Sequence, residues 1–123
     1  MVSSTTSILS ELGNSTFSGG GHKYAVLNAA ADGTREVVAA VTGSKIRVLA
    51  LVADQQADAA ATMQFKSATT AIMGELVSAN TKMLVVLPFS SAGWFETSAG
   101  EALQVTTAGT DVTGCLVYDE VAG

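Results

Sequence analysis

Apolar and polar positions alternate along much of this chain. In Lys45 to Ala53, Lys45 and Arg47 alternate with Ile46 and Val48, the period of two that a half-buried strand requires. Beyond Leu49 the run turns wholly apolar, which predicts a strand end covered on both faces. Toward the C-terminus the alternation is less clean: Cys115, Val117 and Val121 share one face with Asp119, while Leu116 and Tyr118 lie on the other. The same reading predicts strands at Lys23–Ala30, Glu36–Val41, Lys45–Ala53, Ala61–Lys66 and Thr70–Val77. It continues with Lys82–Leu87, Trp94–Thr97, Ala102–Thr107 and Val112–Glu120.

The punctuation between these runs fits tight connections. Asp32-Gly33 and Thr42-Gly43-Ser44 suit hairpins, because glycine tolerates positive φ. Asn80, Gly93, Gly100 and Gly109 mark later breaks. Gln56 to Met63 competes as a helix through its alanines, but is read as a loop with at most a turn of helix. Short strands with turn signals at roughly 8–12-residue spacing indicate a sandwich or barrel. The fold class predicted is therefore all-β, an antiparallel β-sandwich of jelly-roll type, ahead of an immunoglobulin-like sandwich. The latter wants a buried tryptophan on an early strand, whereas Trp94 comes late and follows a glycine turn.

Residues 1–22 stand apart from this domain, which occupies residues 23–123. They are rich in Ser and Thr and end in Ser18-Gly19-Gly20-Gly21-His22. Three consecutive glycines cost much backbone entropy to fix, so they read as a hinge below a flexible N-terminal arm. Within the arm, Ile8, Leu9 and Leu12 line one side of a helical turn too short to stand alone in water. They are candidates for contact with a neighbouring subunit or a larger assembly.

Composition narrows the chemistry. The chain has 123 residues and 48% hydrophobic side chains, mostly Ala, Val and Leu, which suits a thin core and leaves stability to gain from association. Its net charge is −5, with only six Lys and Arg scattered along the sequence, which argues against direct nucleic-acid binding. No run reaches the length of a membrane span, and the start lacks the charged and apolar regions of a secretory signal, so synthesis in a cytoplasm is expected. The lone Cys115 cannot form an intrachain disulfide and is expected as a small apolar core residue.

Catalysis lacks a convergent set of groups. His22, the only histidine, adjoins the glycine hinge, a poor place to hold a general base. Asp54 and Asp58 bracket a polar loop without the glycine turn and bidentate glutamate of a calcium loop. Glu96, Glu101 and Glu120 read as strand-edge or interface residues rather than a hydrolytic pair. No catalytic residue, metal ligand or cofactor is assigned. Trp94 and Phe95 carry more weight. Adjacent strand residues point to opposite faces, so one ring is expected in the core and the other at a contact surface.

The stretch VLPFSSAGWFETSAGEAL (residues 86–103) shows an apolar strand stopped by the only proline, a polar turn, the aromatic pair, and a break into another strand. The preceding half, with GSKIRVLALVA, TMQFKS and TTAIMGELV, has the same order. Over about residues 23 to 121 this layout resembles small accessory virion proteins of tailed bacteriophages, the β-sandwich proteins that decorate or cement capsids. The resemblance is one of pattern rather than of invariant residues. It implies a structural protein on the capsid surface, made in the host cytoplasm and bound to assembled major capsid protein as a homotrimer. Two other roles compete: a tail, baseplate or fibre component for host attachment, and a lectin-like module binding glycans through the Asp54–Asp58 and Ser90–Trp94 loops.

Overall fold

The computed structural model describes residues 22–30 and 32–123. Ten strands run through them: β1 Lys23–Ala29, β2 Gly33–Val38, β3 Ser44–Gln55, β4 Ala61–Ser67 and β5 Thr70–Ala71. Then come β6 Leu76–Ser78, β7 Leu84–Leu87, β8 Phe95–Glu96, β9 Leu103–Ala108 and β10 Val112–Ala122. They form two antiparallel sheets. The first has the order β1-β10-β3-β7, with β8 also on β3; the second has β2-β9-β4-β5, with β6 also on β4.

The topology is simpler than the count suggests. β7 pairs with Leu51–Asp54 and β8 with Arg47–Val48, both on the side of β3 away from β10. β5 and β6 share one side of β4 in the same way. Each pair is thus one edge strand with an interruption. The eight resulting strands pair first with eighth, second with seventh, third with sixth and fourth with fifth. That is a long hairpin rolled into two layers, the jelly roll expected from the sequence.

Both interruptions have local causes. Between β5 and β6, Ile72 and Met73 both pack against the core, which strict alternation forbids, so the strand bulges there. The Gln64 side-chain amide satisfies the displaced Met73 carbonyl at 3.0 Å. Between β7 and β8, Pro88 brings no N–H to the ladder. The chain leaves in a turn closed by Gly93 N donating to Ser90 O at 3.0 Å, yet stays hung on β3. Ser90 N donates to Leu49 O at 2.9 Å and Trp94 N to Val48 O at 2.8 Å.

The core lies between the sheets. Ile46, Val48 and Leu51 of β3 belong to one cluster with Leu27 and Leu116, and with Met63, Phe65, Leu103 and Val105 of the second sheet. Each such side chain contributes roughly 1.5–3 kcal/mol on burial. A bulge keeps β3 in phase. Val117 pairs with Ala50 and Tyr118 with Val48, leaving Leu49 as the extra residue, so inward positions continue on both sides of it. At one end, Thr97 exchanges bonds with Ile46 in the first sheet, while Ser98 N and the Glu101 carboxylate meet the Ser67 hydroxyl of the second.

Several expectations need correction. The strand expected over Glu36–Val41 begins at Gly33, directly after the turn residue Asp32 at φ 62°, and ends at Val38. Thr70–Val77 is split, and Trp94 precedes its strand rather than opening it. The preference for a loop over a helix at Gln56 to Met63 holds for 56–60, and the strand expected from Ala61 begins there, between β6 and β9. Cys115 is exposed, not in the core. Its neighbours Gly114 and Leu116 take the inward positions opposite Ala53 and Leu51, which leaves Cys115 on the outside.

Candidate functional site

The two outer faces of the sandwich differ sharply. On the second sheet, polar side chains stand in register across three strands: Thr34–Thr106–Gln64 in one row and Glu36–Gln104–Lys66 in the next. The Thr34 and Thr106 hydroxyls are 2.8 Å apart. This is the ordinary solvated face of an antiparallel sheet. On the first sheet two adjacent rows are apolar, flanked by the mixed row Asn28–Thr113–Asp54–Leu84. Val26, Cys115, Val52 and Val86 lie opposite one another across β1, β10, β3 and β7. Tyr24, Val117 and Ala50 form the adjacent row.

These side chains are open to solvent. Tyr24 is 77% exposed, Val26 70%, Val86 55% and Val52 42%, in a fold whose inward residues are almost fully covered. The expectation that β3 beyond Leu49 is covered on both faces therefore fails within this chain. Its outer side is bare, and nothing among the described residues packs over Val52. Leu84 of β7 and Phe89 and Trp94 of the interruption add to the apolar surface.

The excursion after Pro88 shapes one side of the face. Phe89 lies with its ring centroid 5.3 Å from that of His22, although the two belong to opposite edges of the sheet. The Phe89 side chain thus reaches over β3 and β10, and Leu49 is fully buried without belonging to the central cluster. Between this ring, Pro88, and the outward residues of β3, β7 and β10 lies a shallow apolar depression of about 260 Å³. Trp94 stays close by donating its indole Nε1–H to Pro88 O at 2.8 Å.

Charge flanks the apolar rows on both sides: Asp54 stands between Thr113 and Leu84 on one, and an alternating row stands on the other. Asp119, Arg47 and Glu96 form a row beyond Tyr24, alternating in sign across β10, β3 and β8. His22 Nδ1 lies 2.6 Å from Asp119 Oδ1, Arg47 Nε donates to Glu96 Oε1 at 3.0 Å, and Lys45 Nζ is 3.3 Å from Glu96 Oε2. The hydrogen bond from Arg47, reinforced by Lys45, holds the Glu96 carboxyl below its ordinary value despite some desolvation. At the sandwich end, the hydrogen bond to Glu120 holds the Lys23 ammonium above its ordinary value.

The sequence-predicted candidates divide. Ile8, Leu9 and Leu12, with the glycine hinge, lie outside the described residues. Phe95 points inward, half-buried against the core, with its ring 5.3 Å from Phe65. Trp94 lies outside, 46% exposed, beside the apolar face. Tyr24, Val26, Val52, Cys115 and Val86 are not legible as one surface from the strand pattern. The available signal was the loss of alternation in KYAVL, LALVA, LVVL and CLV, all of which end in the same sheet. Among the described residues, no three His, Cys, Asp or Glu side chains gather closely enough to hold a metal ion, and no helix is long and apolar enough to cross a membrane. No protein-family model matches the chain, and neither a curated protein nor a solved structure does.

Proposed function

We propose that this chain is a non-enzymatic structural protein of a virus particle, one that binds assembled major capsid protein and reinforces the shell as a decoration or cement protein. The observation that carries the reading is the contrast between the two outer faces: two polar rows side by side on one sheet, and on the other two adjacent apolar rows, one of them across all four strands. An exposed apolar patch rimmed by polar residues marks an interaction surface. A shallow apolar face with its charges set to the sides suits docking rather than chemistry. The jelly roll is an architecture used by viral capsid domains, in accord with the sequence resemblance, although fold alone never fixes function.

The mechanism is linkage. A protein that binds the assembled shell and not its separated subunits stabilises the shell by mass action. Homo-oligomers, trimers by the resemblance, would repeat modest contacts over the particle and add their effects through multivalency. Cryo-EM of the particles of the virus that encodes the chain tests this. The sandwich is expected on the outer surface of the head, and shells lacking it are expected to disrupt at lower temperature and recover on its addition. Density at the tail or fibre instead, or no copies on the particle, contradicts the reading.

A further inference from the structure

We infer that the outer face of the first sheet is a self-association surface, occupied by the same face of a second copy of this chain in a twofold pairing. The inference rests on the oligomeric structural reading above and names the surface that reading lacks.

Three features select a second copy as the occupant. The first is area. The whole outer face of the sheet, four strands at about 4.8 Å spacing and about seven residues at 3.3 Å rise with the Asn28–Thr113–Asp54–Leu84 row included, has a flat area of roughly 440 Å² per copy. A pair therefore buries about 900 Å² before the corrugation of side chains is counted, against the roughly 1,000 Å² that a specific interface needs. The second is charge. Each copy carries a net charge of −5, so two copies repel unless they meet where charge is neutralised. The two apolar rows of this face carry no Asp, Glu, Lys, Arg or His side chain; Asp119, Arg47, Glu96 and Lys45 are paired along one side of them, and Asp54 is the one carboxylate in the row on the other.

The third is shape. The face carries both a projecting ring and a hollow. Tyr24 stands out from β1 at one edge, while the depression beside Pro88 and Phe89 runs from the central strands β10 and β3 to β7 at the other edge. A twofold axis parallel to the strands lays β1 of each copy over β7 of the other. Both Tyr24 rings then meet both depressions, and Val26 meets Val86 of the second copy. Such a contact is self-complementary and closes at two subunits. It therefore favours a dimer over the trimer implied by the resemblance.

Sedimentation of the full chain across a concentration series tests this, together with Val26→Lys and Val86→Lys. Both positions are more than half exposed, so the variants are expected to fold, which far-UV circular dichroism and melting would verify. The wild type is expected as a dimer, and each lysine is expected to weaken dimerisation at least about tenfold by placing an unpaired charge in the contact. A trimer, or a dimer that survives both substitutions, overturns the assignment while leaving an oligomeric structural protein intact. A monomer at every concentration overturns both.

Discussion

Trp94 and Phe95 are neighbours in the chain and opposites in environment. Phe95 pairs with Val48 and packs against Phe65, whereas Trp94 sits outside with its indole bonded to Pro88 O. Truncating a fully buried Phe costs about 3–5 kcal/mol. Phe95 is only half-buried, so Phe95→Ala should destabilise by about 2–3 kcal/mol in denaturant unfolding. Trp94→Ala should cost about 1 kcal/mol or less, the worth of one exposed hydrogen bond, and any larger loss would show that the indole holds the excursion in place. That the two rings divide was legible from strand alternation alone. Which of them enters was not, because nothing local distinguishes Trp-in from Phe-in. Cys115 was misread for a related reason: in CLVY every residue is compatible with burial, so the sequence offers no polar side chain to set the phase.

At the scale of elements, β10 and β3 hold the first sheet together, and Gly114 lets them approach. A Cβ there would fall 1.8 Å from Val52 O, against backbone that cannot step aside, and φ is +156°. Gly114→Ala should therefore cost about 3 kcal/mol, the upper end of the overpacking range, and loosen the β10–β3 ladder in hydrogen exchange. Glu96 joins β8 to β3 through Arg47 and Lys45, and its carboxyl titrates below the ordinary value of 4.5. A depressed carboxylate contributes stability that is present above its unfolded pKa and is lost as the pH falls through the folded one. The difference in melting temperature between wild type and Glu96→Gln should be present at neutral pH and vanish in acid below 4.5. It should stay small, about 1 kcal/mol or less, because the pair is solvent-screened. Most strands were legible from their period. The interruption at Ile72 and Met73 was not, since two adjacent apolar residues look like an uninterrupted strand until both are seen to pack inward.

For the whole molecule, turn spacing and alternation were enough to indicate a two-layer antiparallel sandwich, because each strand's inward face is written locally. The outer face was not legible as a surface. Its members come from β1, β3, β7 and β10, separated by long stretches of chain, and only the strand order brings Val26, Cys115, Val52 and Val86 into one row. The apolar run beyond Leu49 did carry the signal that both sides of β3 seek cover. The chain supplies that cover on one side only, and a second copy is the proposed cover for the other. Cys115 sits in the middle of this row and reports on it directly. Alkylation of its thiol in the unmodified protein, followed over a dilution series, measures whether the face is covered. The rate is expected to rise about tenfold or more as dilution separates the copies, since an accessible thiol reacts and a covered one does not. A rate independent of concentration, whether fast or slow, would contradict it.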